Sequence, residues 1–252
     1  NETKPFTGKN LCKYENGQIE SEGNFKNGKA DGKWTGWHEN GQIEAEGNFK
    51  DGELDGFTPY SYYENGQIES EENYKDNNKD GKWTWWYENG QIKWEINYKD
   101  GKEDGKLTWW HENGQINLEK NYKDGKLISE TIYLWHENGQ IESKTTYKDG
   151  KRDGKRTEWY ENGQKKHDGA NKDGKKSGKW TEWFENGQKK LEGNYIDSEK
   201  VGYWIGWNNK AQTVKEEIYI KNILVDEKIF SYYENGQIES EENYKDNNKD
   251  GK

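Results

Sequence analysis

Residues 31–54 read DGKWTGWHENGQIEAEGNFKDGEL. The pair Asn40-Gly41 decides the fold, because Asn-Gly between two runs of aromatic and apolar residues is the strongest short-range signal for a β-hairpin. Both central residues of a type I′ turn need φ > 0, which Asn tolerates and Gly adopts without penalty, so a two-residue loop is predicted here. Each arm spans about 5–8 residues, a strand length and too short for a helix stable on its own. Outward from this stretch the tetrapeptide ENGQ recurs, nine times in all. Its glycines are Gly17, Gly41, Gly66, Gly90, Gly114, Gly139, Gly163, Gly187 and Gly236. They lie 24 or 25 residues apart up to Gly187, then 49 apart. The long interval holds a degenerate copy in which Ala211 replaces the turn glycine, and there a distorted turn is expected.

The chain is thus read as a single all-β array, an elongated antiparallel meander of ten hairpin repeats. The units fall near 7–30, 31–54, 55–79, 80–103, 104–127, 128–152, 153–176, 177–200, 201–225 and 226–249, with a partial unit at 250–252. A second turn signal, KDGKxDGK, returns the chain between hairpins. Pro59 and one extra residue fall within Phe57 to Tyr63, a stretch expected to form a bulge or an edge. Segments 61–82 and 231–252 are identical.

Composition agrees with a fold built on rings. Only 27% of the 252 residues are apolar and 35% are charged, which alone would favour disorder. Aromatic residues make up 15%, including 14 Trp, and disordered chains are poor in these. No apolar run approaches the roughly 18 residues of a membrane-spanning helix. A net charge of −10 argues against nucleic acid or anionic lipid as partner. Cys12 is the single cysteine, which excludes an internal disulfide. The chain has no Met, so it is expected not to begin at its own initiator, and residues 1–6 carry no signal-peptide pattern. The sequence assigns no compartment.

With a two-residue loop, Trp37 opposes Glu44, Gly36 opposes Ala45, Thr35 opposes Glu46 and Trp34 opposes Gly47, its ring covering the bare glycine. One face then carries Trp34, His38, Ile43, Ala45 and Phe49 and is the expected core. The other carries a row of rings, among them Trp86, Trp110, Trp135, Trp159 and Trp183, flanked by glutamates such as Glu44, Glu46, Glu69 and Glu95. A long exposed stripe of this kind is a candidate contact surface. These five Trp are the expected partner-binding residues.

ENGQI followed by EGNYKDGKxDGKW resembles the bacterial MORN-like repeats, the variant found in YwqK-type antitoxins. The resemblance extends from Thr7 to Lys252. It implies an antiparallel sheet of hairpins, and the antitoxin connection implies binding and neutralising a partner protein.

Catalytic and metal chemistry find little support. Asp76 to Gly81 matches the first six positions of an EF-hand loop, but Tyr87 stands where the bidentate Glu belongs. A solvated turn is the expectation. His38, His111 and His136 share a column with Tyr and Phe and read as stacking rings. His167 sits in a degenerate unit with Lys165 and Asn171 and is expected to lack a partner cluster. Glutamate pairs recur in every unit, whereas a catalytic pair needs an environment unlike its copies. No enzyme activity, no cofactor and no metal are expected. The expected function is a repeat scaffold for protein–protein interaction, antitoxin-like, with a partner bearing basic groups. The alternative is a carbohydrate- or cell-wall-binding module using the Trp row.

Overall fold

A computed structural model describes residues 4–245 and 248–249; the partial unit expected at 250–252 lies outside the described residues. The chain divides into two compact units, Asn1–Ile128 and Ser129–Lys252. Each is built from the same antiparallel hairpins, and no helix occurs among the described residues. The repeat at 31–54 shows the pattern. Strand Gly32–Trp37 turns through ENGQ into Ile43–Lys50, and the next turn leads into Glu53–Tyr62.

The two turn signals exchange roles relative to expectation. At ENGQ the loop has three residues, not two. His38 N–H donates to the Gln42 carbonyl at 2.8 Å, and Gly41 N–H donates to the His38 carbonyl at 2.8 Å. Gly41 has φ 86°, while Asn40 is not among the residues with positive φ. This is a type I turn closed by a left-handed glycine, the usual three-residue hairpin. The Asn is kept for its side chain. Asn40 Oδ1 accepts from Gln42 N–H at 3.0 Å within the turn. In the copies at Asn65 and Asn89, Nδ2 donates to the Glu88 and Glu112 carbonyls of the following repeat, at 3.0 and 2.9 Å. The two-residue type I′ turn belongs instead to the KDGK segment. Asp51 and Gly52 have φ 52° and 90°, with Lys50 paired to Glu53. Asp76 and Asn77, the start of the EF-hand-like string, form the same corner at φ 47° and 60°.

Ala211 corrects a second expectation. It adopts φ 64°, its N–H donates to the Asn208 carbonyl at 3.0 Å, and Asn208 N–H donates to the Gln212 carbonyl at 2.9 Å. The degenerate turn is therefore the regular one, held with a strained alanine in the glycine position. Asn208 Oδ1 supplies the acceptor for Gln212 N–H that Lys210 cannot. Pro59 lies inside strand Glu53–Tyr62, opposite Ala45. The extra residue of that unit is Asp55, skipped between the pairs Phe49–Leu54 and Asn48–Gly56.

A bulge resets the faces. Trp34 opposes Gly47, Thr35 opposes Glu46 and Gly36 opposes Ala45 as expected, but Trp37 then pairs with Ile43, and Glu44 is the extra residue. Among the described residues, all ten hairpins of this type shift at the equivalent place. A bulge reverses the alternation beyond it. The isoleucine column therefore shares a face with the Trp row, and the glutamates of the Glu44 column cross to the other face. Ser61 Oγ, on the Gly36 column, donates to Glu69 Oε2 at 3.1 Å, and Ser231 Oγ to Glu239 Oε2 at 3.3 Å.

The tightest packing lies at the KDGK end of the face carrying Trp34. Rings interleave across strands: Phe25, Trp34 and Phe49 at 5.2 and 5.9 Å, and Tyr195, Trp204 and Tyr219 at 5.0 and 6.4 Å. Edge-on contacts of this kind add to area burial. The glycine beneath Trp34, Trp180 and Trp204 belongs to the preceding repeat rather than to the hairpin partner. A Cβ on Gly23 would fall inside the Trp34 ring, and one on Gly193 inside Trp204. Trp34 Nε1 donates to the Asn24 carbonyl and Trp180 Nε1 to the Ala170 carbonyl, at 3.2 and 3.1 Å. Trp204 is 1% exposed.

Candidate functional site

The five Trp singled out in the sequence are all half-buried. Trp86 and Trp110 lie in the first unit and Trp135, Trp159 and Trp183 in the second. Each ends a strand beside the ENGQ turn, and each pairs across its hairpin: Trp86 with Ile92, Trp110 with Ile116, Trp135 with Ile141. The pairs Trp159–Lys165 and Trp183–Lys189 substitute lysine for isoleucine. Lys165 Nζ sits 5.6 Å from the centre of the next repeat's Trp183 ring, and Lys189 Nζ 5.7 Å from Trp207. The stripe is therefore Trp alternating with Ile in the first unit, and Trp capped by Lys toward the end of the second. Cation–π contact with the protein's own lysines satisfies part of those rings.

The backbone behind the stripe is fixed by the neighbouring ring column. Tyr63 Oη donates to the Trp86 carbonyl at 2.6 Å, Tyr87 Oη to the Trp110 carbonyl at 2.8 Å and Tyr160 Oη to the Trp183 carbonyl at 2.8 Å. His136 Nε2 lies 3.0 Å from the Trp159 carbonyl, so this histidine takes the tyrosine's structural place. The acidic groups left on the Trp face are largely paired. Lys33 bonds Glu46 at 2.6 Å and Lys179 bonds Glu192 at 2.8 Å; Lys82–Glu95 and Lys106–Glu119 are equivalent. Partial burial raises the Glu192 carboxyl, but hydrogen bonds from Lys179, Lys189 and Thr181 outweigh it and hold the group below the usual carboxylate range.

On the opposite face one column does not repeat, and its chemistry differs between the units. In the first unit Ser70, Trp85, Trp94, Trp109 and Leu118 stand side by side on adjacent strands. Trp85 and Trp94 stack with centroids 4.0 Å apart and planes 11° from parallel. Trp109 is 43% exposed. In the second unit the same column reads Ser143, Glu158, His167, Glu182 and Leu191. His167 Nδ1 lies 3.1 Å from Glu158 Oε2, and Nε2 lies 3.8 Å from Glu182 Oε1. His167 thus has the partner cluster that its degenerate unit does not advertise, because strand pairing brings residues nine and fifteen positions away to its side. Arg156 also contacts Glu158. Burial raises the Glu158 carboxyl, yet Arg156 and then His167 more than compensate and leave it below its ordinary value. Sequence reasoning missed both clusters. The legible signal was departure from the repeat consensus in the Gly36 and Ala45 columns.

Among the described residues, no group of three or more His, Cys, Asp or Glu is arranged to hold a metal ion. Among the described residues no helix is long and apolar enough to cross a membrane.

The arrangement defines a class, an array of antiparallel hairpins joined by recurring side-chain ladders. The family model described as "MORN repeat variant" matches residues 6–27, 30–51, 60–76, 79–100, 103–124, 131–149, 152–168, 176–197 and 228–246. These matches cover well over half the chain, and the protein belongs to the MORN repeat variant family. The copy around Ala211 falls outside the matches. A comparison with curated proteins returns no match. Among solved structures, the chain is similar to part of a TcdB2–TccC3–Cdc42 complex, with TM-score 0.31 and 10% identity over 93% of this chain and 15% of that one. It is also similar to part of a Photorhabdus luminescens Tc holotoxin pore carrying TccC3-D651A, with TM-score 0.30 and 11% identity over 93% and 16%. The chain thus spans under a fifth of the length of these proteins, and likeness at this level bears on neither fold nor function.

Proposed function

We propose that this protein is a non-catalytic scaffold that binds a partner protein through the Trp stripe, in an antitoxin-like manner. The observation carrying the proposal is that Trp86, Trp110, Trp135, Trp159 and Trp183 are half-buried and each ends its strand at the same place beside the ENGQ turn. Isoleucine accompanies the first three. Trp is enriched among residues that dominate binding energy, and the half-buried rings that each unit presents beside its ENGQ turns are such anchors. Repeat arrays offer extended surfaces of this kind. With a net charge of −10 the chain steers toward a partner bearing basic groups.

The test uses Trp110→Ala and Trp135→Ala, singly and together. The partner is captured with the wild-type chain, identified, and its affinity measured again in purified form. At least a tenfold loss is expected in the double variant with the fold retained. Equal affinity would contradict the reading.

A second reading, carbohydrate binding, gains from Trp109, which stands exposed beside the stacked Trp85 and Trp94 on the other face. Flat exposed rings suit sugar faces. Glycan-array binding lost in Trp109→Ala, with protein capture unaffected, would favour it.

A further inference from the structure

We propose that the depression around Arg152 and Arg156 in the second unit binds a small phosphate monoester, independently of the Trp stripe. The chain has only two arginines, and they lie four residues apart in one repeat. Arg156 occupies the column filled by Trp34, Trp83, Trp180 and Trp204, and Asn171 the column filled by Phe25, Phe49, Tyr98 and Tyr195. At this repeat the ring sandwich is therefore opened. In its place lies a cavity of about 410 Å³ whose lining includes Arg152, Arg156, Asn171, Lys176, Tyr195 and Lys200 and no acidic residue.

Four cations on one cavity are unusual in a chain of net charge −10. Among the described residues only Arg156 has a carboxylate at ion-pair distance, Glu158; Arg152, Lys176 and Lys200 have none. Two of the cations are held in place by rings. Lys176 Nζ lies 4.5 Å from the Trp180 centroid and 4.8 Å from Tyr195; Lys200 Nζ lies 4.5 Å from Trp204 and 4.6 Å from Tyr219. Burial pushes the Lys200 amine below its ordinary range, as expected for a cation with reduced access to water.

Asn171 is the second, separate pointer to a ligand. It is 7% exposed, it lines the cavity, and its Oδ1 has no hydrogen-bond partner. Buried polar atoms are almost always paired, so an orphaned one implies a missing group. A phosphate monoester supplies both parts: oxyanion oxygens for the guanidinium and ammonium groups, and a hydroxyl-bearing organic part for the amide. Guanidinium groups grip such oxygens in pairs, which lysine alone does not.

The test is calorimetric titration of the full chain with inorganic phosphate and with glycerol 3-phosphate, against sodium chloride at matched ionic strength. Quenching of Trp fluorescence gives an independent readout, because Lys176 and Lys200 sit against Trp180 and Trp204. Saturable binding is expected for both phosphates, at least tenfold tighter for the ester. Arg152→Gln, at an exposed position, should weaken it at least tenfold, while Lys33→Gln, in the first unit, leaves it unchanged. Asn171→Tyr restores the ring column and should abolish binding without loss of fold. A response no greater than that to chloride, or equal binding by wild type and Arg152→Gln, would overturn the proposal.

Discussion

Two consecutive hairpins of the second unit differ at two positions that matter. In strands Lys175–Trp183 and Lys189–Ile196, Trp180 is buried against Tyr195, over Gly169. One repeat earlier, in Lys151–Trp159 and Lys165–Lys172, the corresponding residues are Arg156 and Asn171. The backbone is unchanged: Thr157 opposes Asp168 just as Thr181 opposes Glu192, and Thr157 Oγ1 donates to Asp168 Oδ1 at 2.7 Å. Strand pairing, both turns and the Asn ladder survive without the central ring. A repeat flanked by well-packed copies can thus give up its own core residues. Stability in such arrays is shared between neighbours, which frees individual columns to vary.

The largest expected effect follows from that contrast. Trp204→Ala removes the most buried ring and should cost about 3–5 kcal/mol. Arg156→Ala in the same column should cost under about 1 kcal/mol. Urea denaturation of the two variants measures both; equal losses would break the comparison. Next comes Gly114→Val. Gly114 has φ 83°, and a Cβ there would lie 2.8 Å from Gln91 Oε1. A β-branched residue in this conformation should destabilise the hairpin by about 1–3 kcal/mol. Ala211→Gly is the mirror experiment: relieving the strained φ of 64° should stabilise by about 1 kcal/mol. A neutral result would mean that the turn has relaxed by another route.

The smallest effect concerns pH and sharpens the comparison between units. Burial, then Glu46, pushes Tyr60 up to about 12 in the first unit; burial, then Glu217, does the same for Tyr219 in the second. A raised folded-state value means that the contribution is complete below the unfolded value, about 10, and is lost as pH rises through 12. Both units should therefore soften over that range, by less than the full shift implies because solvent screens these half-buried groups, and Tyr60→Phe and Tyr219→Phe should flatten the fall.

The repeat, its period and its all-β character were legible because ENGQ and KDGK recur with little variation. Turn types were not, because Asn-Gly is compatible with both a two-residue and a three-residue loop. The three-residue loop is closed by the His38 N–H bond to the Gln42 carbonyl, with Asn40 Oδ1 accepting from Gln42 N–H. The face of Ile43 was missed for the same reason, since one bulged residue, Glu44, inverts everything beyond it. Trp34 over Gly23 rather than Gly47 could not be read from one hairpin, because it is set by the stacking of neighbours. The candidate Trp column was legible from periodicity. The clusters at Trp94 and His167 are marked in the sequence only by unusual residues in the Gly36 and Ala45 columns; which residues meet is set by pairing between neighbouring strands.

The most direct test of the central claim, that the recurrent Trp stripe is the partner-binding surface, is the affinity of the purified, identified partner for wild type and for Trp110→Ala/Trp135→Ala, measured beside far-UV dichroism and Tm. At least a tenfold weaker Kd with the strand signal unchanged is expected. Unchanged affinity, or collapse of the sheet in the double variant, would contradict it and leave these rings a purely structural role.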